Sequence, residues 1–319
     1  MRIVSLLPSA TEIVAALGAL DHLVGITHAC DYPSQISTLP RLTRTRVNAH
    51  AAPDVIDRDV RAAAAQGLAL YEVDDALLAS LTPDVIVTQA LCDVCAVRET
   101  DVRELAERLT PRPRVVTLSG TSIDGIVADI QRVGEAIDAQ DEAEELILGL
   151  RARLRSVHER LRASHAPRPR VAVLEWTSPV YTAGHWVPEM VHRAGGVDAL
   201  ATPGSHSQAV GVADVAAAGP DVLIFAPCGY DLQRATREAR TVLTGDAWRW
   251  AADRAAWAID SNALASRPGP RVVDGVETIA ALLHPALFGE PPRDRGVRLQ
   301  APVSAQHRHS GIQNEGYNG

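Results

Sequence analysis

The chain has 319 residues, a formal charge of −8 and a hydrophobic fraction of 46%, enough apolar material for two domains with cores of their own. Its 31 basic residues are all arginine and are outnumbered by 39 acidic ones, so no global basic footprint for nucleic acid is present. No stretch approaches the ~20 apolar residues of a membrane span, and residues 3–7 fall short of the ~7–15-residue core of a signal peptide; the chain is expected to be cytoplasmic.

Strands and helices alternate along the chain, which implies parallel sheets. Residues 3–7 read as the first strand. Ser9 reads as the N-cap of a helix over 11–17, with Glu12 three residues on and Gly18 as the stop. A strand at 23–26, helices at 60–66 and 75–81, a strand at 85–87, a helix at 99–109 and a strand at 114–118 follow. From 123 to 163 little Gly or Pro interrupts a helix. Residues 141–162 carry Leu146, Leu150, Leu154, Val157 and Leu161 at spacings of three and four, with an acidic start and an Arg-rich second half that suit the helix dipole. A second α/β unit comes after Pro167 and Pro169: strand 171–174, helices 187–194 and 212–217, strand 222–225, helix 232–243, strand 256–259 and helix 272–283. The expected division is an N-terminal α/β lobe at 1–121, a helical spine at 122–166, a C-terminal α/β lobe at 167–289 and a disordered tail at 290–319.

The two halves echo each other. Leu81-Thr82-Pro83-Asp84-Val85-Ile86-Val87 runs to Cys92, and Ala218-Gly219-Pro220-Asp221-Val222-Leu223-Ile224 runs to Cys228. In both, a helix ends, Pro-Asp makes the turn, and an apolar strand leads to a cysteine. Cys30, Cys92, Cys95 and Cys228 all follow apolar runs, so as strand ends they share the edge where open α/β sheets place ligand sites. Four convergent thiolates suit zinc or an iron–sulfur cluster; Cys92 and Cys95 form a C-x-x-C pair, which alone also fits a redox dithiol, and core packing is the competing role for each thiol.

Other candidates cluster after the first strand of the second half. Trp176, Tyr181, His185 and Trp186 offer aromatic planes and an imidazole for a flat or metal-containing ligand; alternatively Trp186 packs at a helix start and His185 caps a turn. His28 precedes Cys30, and His206 lies in a Gly/Ser-rich loop. Arg267 and Arg271 flank Pro268-Gly269-Pro270 and suit anionic groups of a ligand, or else pair with Asp260 or Asp274. His307 and His309 fall in the tail. The chain holds no Walker-type phosphate loop and no Gly-x-Ser-x-Gly elbow.

The arrangement resembles the class III, cobalamin- and siderophore-type solute-binding proteins of ABC transporters. Leu7-Pro8-Ser9-Ala10-Thr11-Glu12 looks like the start of their vitamin B12-binding members, and Pro188-Glu189-Met190-Val191 with Gly195-Gly196 like the first helix of their second lobe. Cys30-Asp31-Tyr32-Pro33, Leu91-Cys92-Asp93-Val94-Cys95, Gly184-His185-Trp186-Val187-Pro188-Glu189, Ala226-Pro227-Cys228-Gly229 and Ser266-Arg267-Pro268-Gly269-Pro270-Arg271 are similar to a subgroup labelled cobalamin-binding protein. The resemblance implies two α/β lobes joined by one long helix, with a small-molecule or metal-complex ligand, cobalamin among them, in the cleft between. It also places Glu189 where exported relatives dock on their permease; without export an exposed helix Glu is the expectation. Two functions follow: a ligand-binding protein for a corrinoid-like or metal-containing ligand, or a redox protein or enzyme holding a four-cysteine cluster or zinc in the same cleft.

Overall fold

The computed structural model describes residues 1–91 and 97–300, with Gln300 described for its backbone alone. The first lobe runs β1 (Ile3–Ser5), α1 (Pro8–Ala16), β2 (Leu23–Gly25), β3 (Thr43–Thr45), α2 (Pro53–Ala65), β4 (Tyr71–Val73), α3 (Asp75–Ser80), β5 (Val85–Gln89), α4 (Glu99–Arg108) and β6 (Arg114–Leu118). Its sheet has the order β2-β1-β5-β6, every pair parallel. The side chains alternate: Ile3, Val85 and Val87 join a core that faces the rest of the molecule, while Val4 and Ile86 join a separate outer core. A sheet buried on both faces needs continuously apolar strands, and these runs supply them. Pro8 opens α1 and Leu7 is its cap residue, without a side-chain cap bond; the expected cap, Ser9, lies inside the helix. Pro at the first helical position, with φ already set, starts the turn instead.

The spine is two helices, α5 (Ile123–Ala136) and α6 (Gln140–Ser164). They are separated at Asp138, which takes a left-handed φ of 57°. Gly134 lets them approach, since a Cβ there would lie 2.6 Å from the Ala143 Cβ. α6 buries Ala143, Ile147, Leu150, Leu154 and Val157. The stripe thus starts one turn earlier than expected, and Leu146 and Leu161 lie at its margin.

The second lobe runs β7 (Arg170–Thr177), β8 (Val180–Thr182), α7 (Val187–Arg193), β9 (Val197–Asp198), β10 (Ala209–Val210), α8 (Val212–Ala217), β11 (Val222–Phe225), α9 (Leu232–Leu243), β12 (Ala255–Ile259), α10 (Ser261–Leu264), α11 (Val272–Leu283), α12 (Pro285–Phe288) and β13 (Gly296–Gln300). β7, β11 and β12 are parallel, but the order β10-β8-β7-β11-β12-β13 ends in antiparallel strands on both sides. The sheet is therefore parallel only at its centre. β13 also falls where a disordered tail is expected from 290 onward; Val297 and Arg298 pair with β12. Residues 301–319 lie outside the described residues.

The repeated Pro-Asp turn has one cause in both lobes. Asp84 accepts from the Arg2 backbone N–H (2.7 Å) and Asp221 from that of Arg170 (2.8 Å). Each Asp returns its own N–H to the same arginine's carbonyl, while the arginine side chain caps the helix that has just ended, at Leu81 and at Ala218. The aspartate thus sets the register between the incoming strand and its neighbour.

Candidate functional site

The C-terminal ends of the two central sheets face each other, and side chains from both lobes meet there. On one flank, Glu12 of α1 is buried and accepts from Arg267 at 2.9 Å and from Arg271 at 2.5 and 2.9 Å. Arg267 also donates to Asp31 (2.6 Å), to the Ala29 carbonyl and to Asn262, and Asn262 donates to Asp31. The Arg271 guanidinium lies 4.2 Å from the centre of the Tyr32 ring. Burial pushes the Asp31 carboxyl up, but the hydrogen bonds and charge of Arg267 outweigh it and hold the group below its usual value. This is a latch between lobes. Arg267 and Arg271 use first-lobe carboxylates as partners rather than Asp260, which caps α10, or Asp274, which pairs with Arg153 of the spine.

On the other flank, a strap between β3 and β4, containing α2, reaches the second lobe. The Trp176 indole donates to the Pro53 carbonyl (3.1 Å); the Tyr181 hydroxyl takes a bond from Arg61 (2.9 Å) and gives one to Asp57 (3.2 Å). Arg234 donates to the carbonyls of Ala49 and Ala51 and lies 3.7 Å from the Tyr230 ring centre, which meets Trp176 edge-on. In the first lobe, His28 stacks on Tyr71 at 5.7 Å and bonds Thr43 at 2.7 Å. A small hollow lined by Leu6, Pro8, His28, Thr43 and Tyr71 opens there.

Below Trp176, Glu175 turns inward. It accepts from Ser207 (2.5 Å) and the Gly184 N–H (3.1 Å), and burial pushes its carboxyl up to about 7. It thereby fixes the two loops that carry His185 and His206. His185 has a left-handed φ of 53° and exchanges backbone bonds with Ser205 and Gly204. Its ring packs on Trp186 and His206, its Nε2 is buried with no hydrogen-bond partner among the described residues, and burial, then His206, lowers its pKa. Trp186 is buried, with its indole N–H on the Ala265 carbonyl at 2.9 Å, so it anchors α7 against the loop after β12.

Of the four cysteines, Cys30 is buried, with its sulfur 3.1 Å from the Thr11 hydroxyl and 3.3 Å from that of Thr27. Cys228 is exposed just beyond β11. Cys92 and Cys95 lie outside the described residues, so the four-thiolate set has only two of its members placed. Among the described residues no group of three or more His, Cys, Asp or Glu side chains is arranged to hold a metal ion. Glu189 is not an exposed helix residue: it is half-buried, caps the first N–H of α5 at Ile123 (2.8 Å) and pairs with Arg193. No helix among the described residues is long and apolar enough to cross a membrane.

The latch partners Glu12 and Asp31 lie inside quoted motifs, yet nothing in their local spacing marks them as partners of Arg267. The strap had one local signal, the Asp57–Arg61 pair one helical turn apart.

Comparison with known proteins agrees with this geometry. A family model described as periplasmic binding protein matches residues 3–249. The uncharacterized ABC transporter substrate-binding lipoprotein YvrC of Bacillus subtilis is 23% identical over 301 residues, covering 91% of this chain and 82% of that protein. The vitamin B12-binding protein of Vibrio cholerae is 23% identical over 289 residues, covering 88% of each. Among solved structures, a periplasmic heme-binding protein from Pseudomonas aeruginosa superposes with a TM-score of 0.66 at 20% identity, covering 94% of this chain and 95% of the other. The periplasmic vitamin B12-binding protein of Vibrio cholerae superposes with a TM-score of 0.55 at 23% identity, covering 89% of this chain and 97% of that one. With its two lobes and helical spine, the chain belongs to the periplasmic binding protein family.

Proposed function

We propose that the protein binds a planar, metal-containing ligand of the corrinoid or porphyrin type in the cleft between its lobes. One observation carries this reading. The chain has only twelve aromatic residues, five Trp, five Tyr and two Phe, and six of them, Tyr32, Tyr71, Trp176, Tyr181, Trp186 and Tyr230, stand around the facing strand ends. A scarce residue type gathered at one address suits a ligand with extended flat faces. The relatives' names support the class: one binds vitamin B12, another heme. Trp176 and Tyr181 would lie against the ligand. Trp186 and His185 would support that wall from behind, and Arg267 and Arg271 would fix the floor through Glu12. Titration of the purified chain with cyanocobalamin and with haemin tests the proposal. One of them binds 1:1 at micromolar affinity or tighter; binding of neither defeats it.

A second reading, a thiolate-held cluster or zinc ion, has one observation in its favour. Ala29, beside Cys30, and Gly229, beside Cys228, are hydrogen-bonded to the adjacent residues Arg267 and Ser266, so the two cysteine-bearing turns flank a single junction between the lobes. Iron, zinc and sulfide analysis of anaerobically purified protein decides it: a metal-free product removes this reading.

A further inference from the structure

We propose that residues 46–69 form a hinged cover over the second lobe's aromatic wall, which opens to expose Trp176 and Tyr181 and closes by docking on them. The inference extends the ligand-binding reading, since it concerns access to the same cleft.

The strap leaves and re-enters the first lobe through one short antiparallel ladder, Thr43 opposite Val73 and Thr45 opposite Tyr71, continued by the Arg46 N–H on the Leu70 carbonyl. Both ends of the excursion therefore pass through one base, the geometry of a hinge. α2 is thirteen residues long and has no fully buried residue. None of residues 46–69 belongs to the hydrophobic clusters that the described residues form. A helix with no fully buried apolar side chain draws little stability from packing, and such segments open locally well below the free energy of global unfolding.

What carries the strap across to the second lobe is polar. Trp176 and Arg234 hold the backbone carbonyls of Pro53, Ala49 and Ala51, all just before or at the start of α2, and Tyr181 holds Asp57 and Arg61 one and two turns further on. Such contacts exchange readily for water, and each contributes modestly. Two of the three docking residues, Trp176 and Tyr181, are the aromatic groups that the ligand would use. Their polar ends are engaged by the strap while it is docked, so a ligand that needs those ends free competes with docking, and one that stacks on the rings beneath is enclosed by it. Either way the strap's position and the ligand's passage are linked.

Hydrogen–deuterium exchange and hydroxyl-radical footprinting of the full chain test this without any ligand. In the wild type, α2 amides exchange faster than those of α11, which is almost wholly buried. The double substitution Tyr181→Phe with Arg234→Ala removes four hydrogen bonds to the strap; it raises α2 exchange at least about tenfold, the effect of losing bonds of ordinary net strength, leaves α11 unchanged, and increases oxidation of Trp176. Exchange of α2 only at the rate of α11, or faster α2 exchange with no added oxidation of Trp176, overturns the proposal. A stopped-flow arm with haemin and cyanocobalamin then reads access directly: the variant associates faster with whichever binds. Should neither bind, the ligand reading falls while the exchange and footprinting results still decide the cover.

Discussion

Glu175 shows how one buried group organises the second lobe's wall. Its carboxylate holds Ser207 and Gly184, and so the loops bearing His206 and His185, at the cost of burying an ionisable group. The unfolded carboxyl loses its proton near 4.5 and the folded one only near 7. Between those values the folded state holds more protons than the unfolded, so stability falls as pH rises through the window and levels off above about 7. Asp198, pushed up to about 6 by burial, adds to the same slope. Glu175→Gln keeps an acceptor for Gly184 and a polar partner for Ser207 but never ionises. Urea unfolding at pH 8 is expected to show the variant more stable than wild type by on the order of 2–3 kcal/mol, with little difference at pH 4.5; equal stabilities at pH 8 would refute the burial account. Nothing in the local sequence announces this group, since Glu175 sits in a strand whose apolar neighbours read as core, and its partners are 9 and 32 residues away.

At the scale of elements, the turn into each central strand shows what periodicity conveys and what it omits. Helix 212–217, strand 222–225, helix 232–243 and helix 272–283 are found where their apolar patterns place them, because each is bounded by Gly, Pro or an N-capping Asp whose local chemistry decides its ends. The strap helix was seen only in its second half, 60–66, because its first turns carry no core-facing stripe; α2 begins at Pro53. The antiparallel edge strands β8, β10 and β13 were not legible either, being two to five residues long and defined by pairing rather than pattern. The paired Pro-Asp turns also differ instructively. The second lobe places Gly219 at φ 61°, but the first lobe places Thr82 at φ 40°, a left-handed conformation that a β-branched residue rarely adopts. Thr82→Gly is expected to stabilise the protein by about 1 kcal/mol, seen as a rise in Tm with the same unfolding cooperativity; a lowered Tm would show that the Thr82 side chain carries an interaction of its own.

Among the described residues the lobes are held together at the spine, where Arg153 of α6 pairs with Asp274 and Glu277 of α11, at the latch and at the strap. The latch explains why three separate sequence signatures, Leu7 to Glu12, Cys30 to Pro33 and Ser266 to Arg271, belong together: Glu12, Asp31, Arg267 and Arg271 are their charged residues that pair, beside the Thr11–Cys30 and Tyr32–Arg271 contacts. The resemblance marked those segments but not their contact, because a bridge spanning 255 residues leaves no local trace. Removing one partner of a buried pair leaves the others uncompensated, so Glu12→Gln is expected to cost roughly 3 kcal/mol, measured by urea unfolding; a cost under about 0.5 kcal/mol would mean the two arginines find equivalent partners without it. Latch, spine and strap together hold the two lobes against each other, and the proposed ligand cleft lies at that junction. The claim that this cleft is built for a flat ligand is tested most directly by titrating wild type and Trp176→Ala with haemin and cyanocobalamin side by side. The account predicts saturable 1:1 binding of one of them by wild type, weakened at least tenfold in the variant, the order of effect expected for losing an aromatic wall worth about 1.5 kcal/mol or more. Binding of neither ligand, or equal affinity in both proteins, would contradict it.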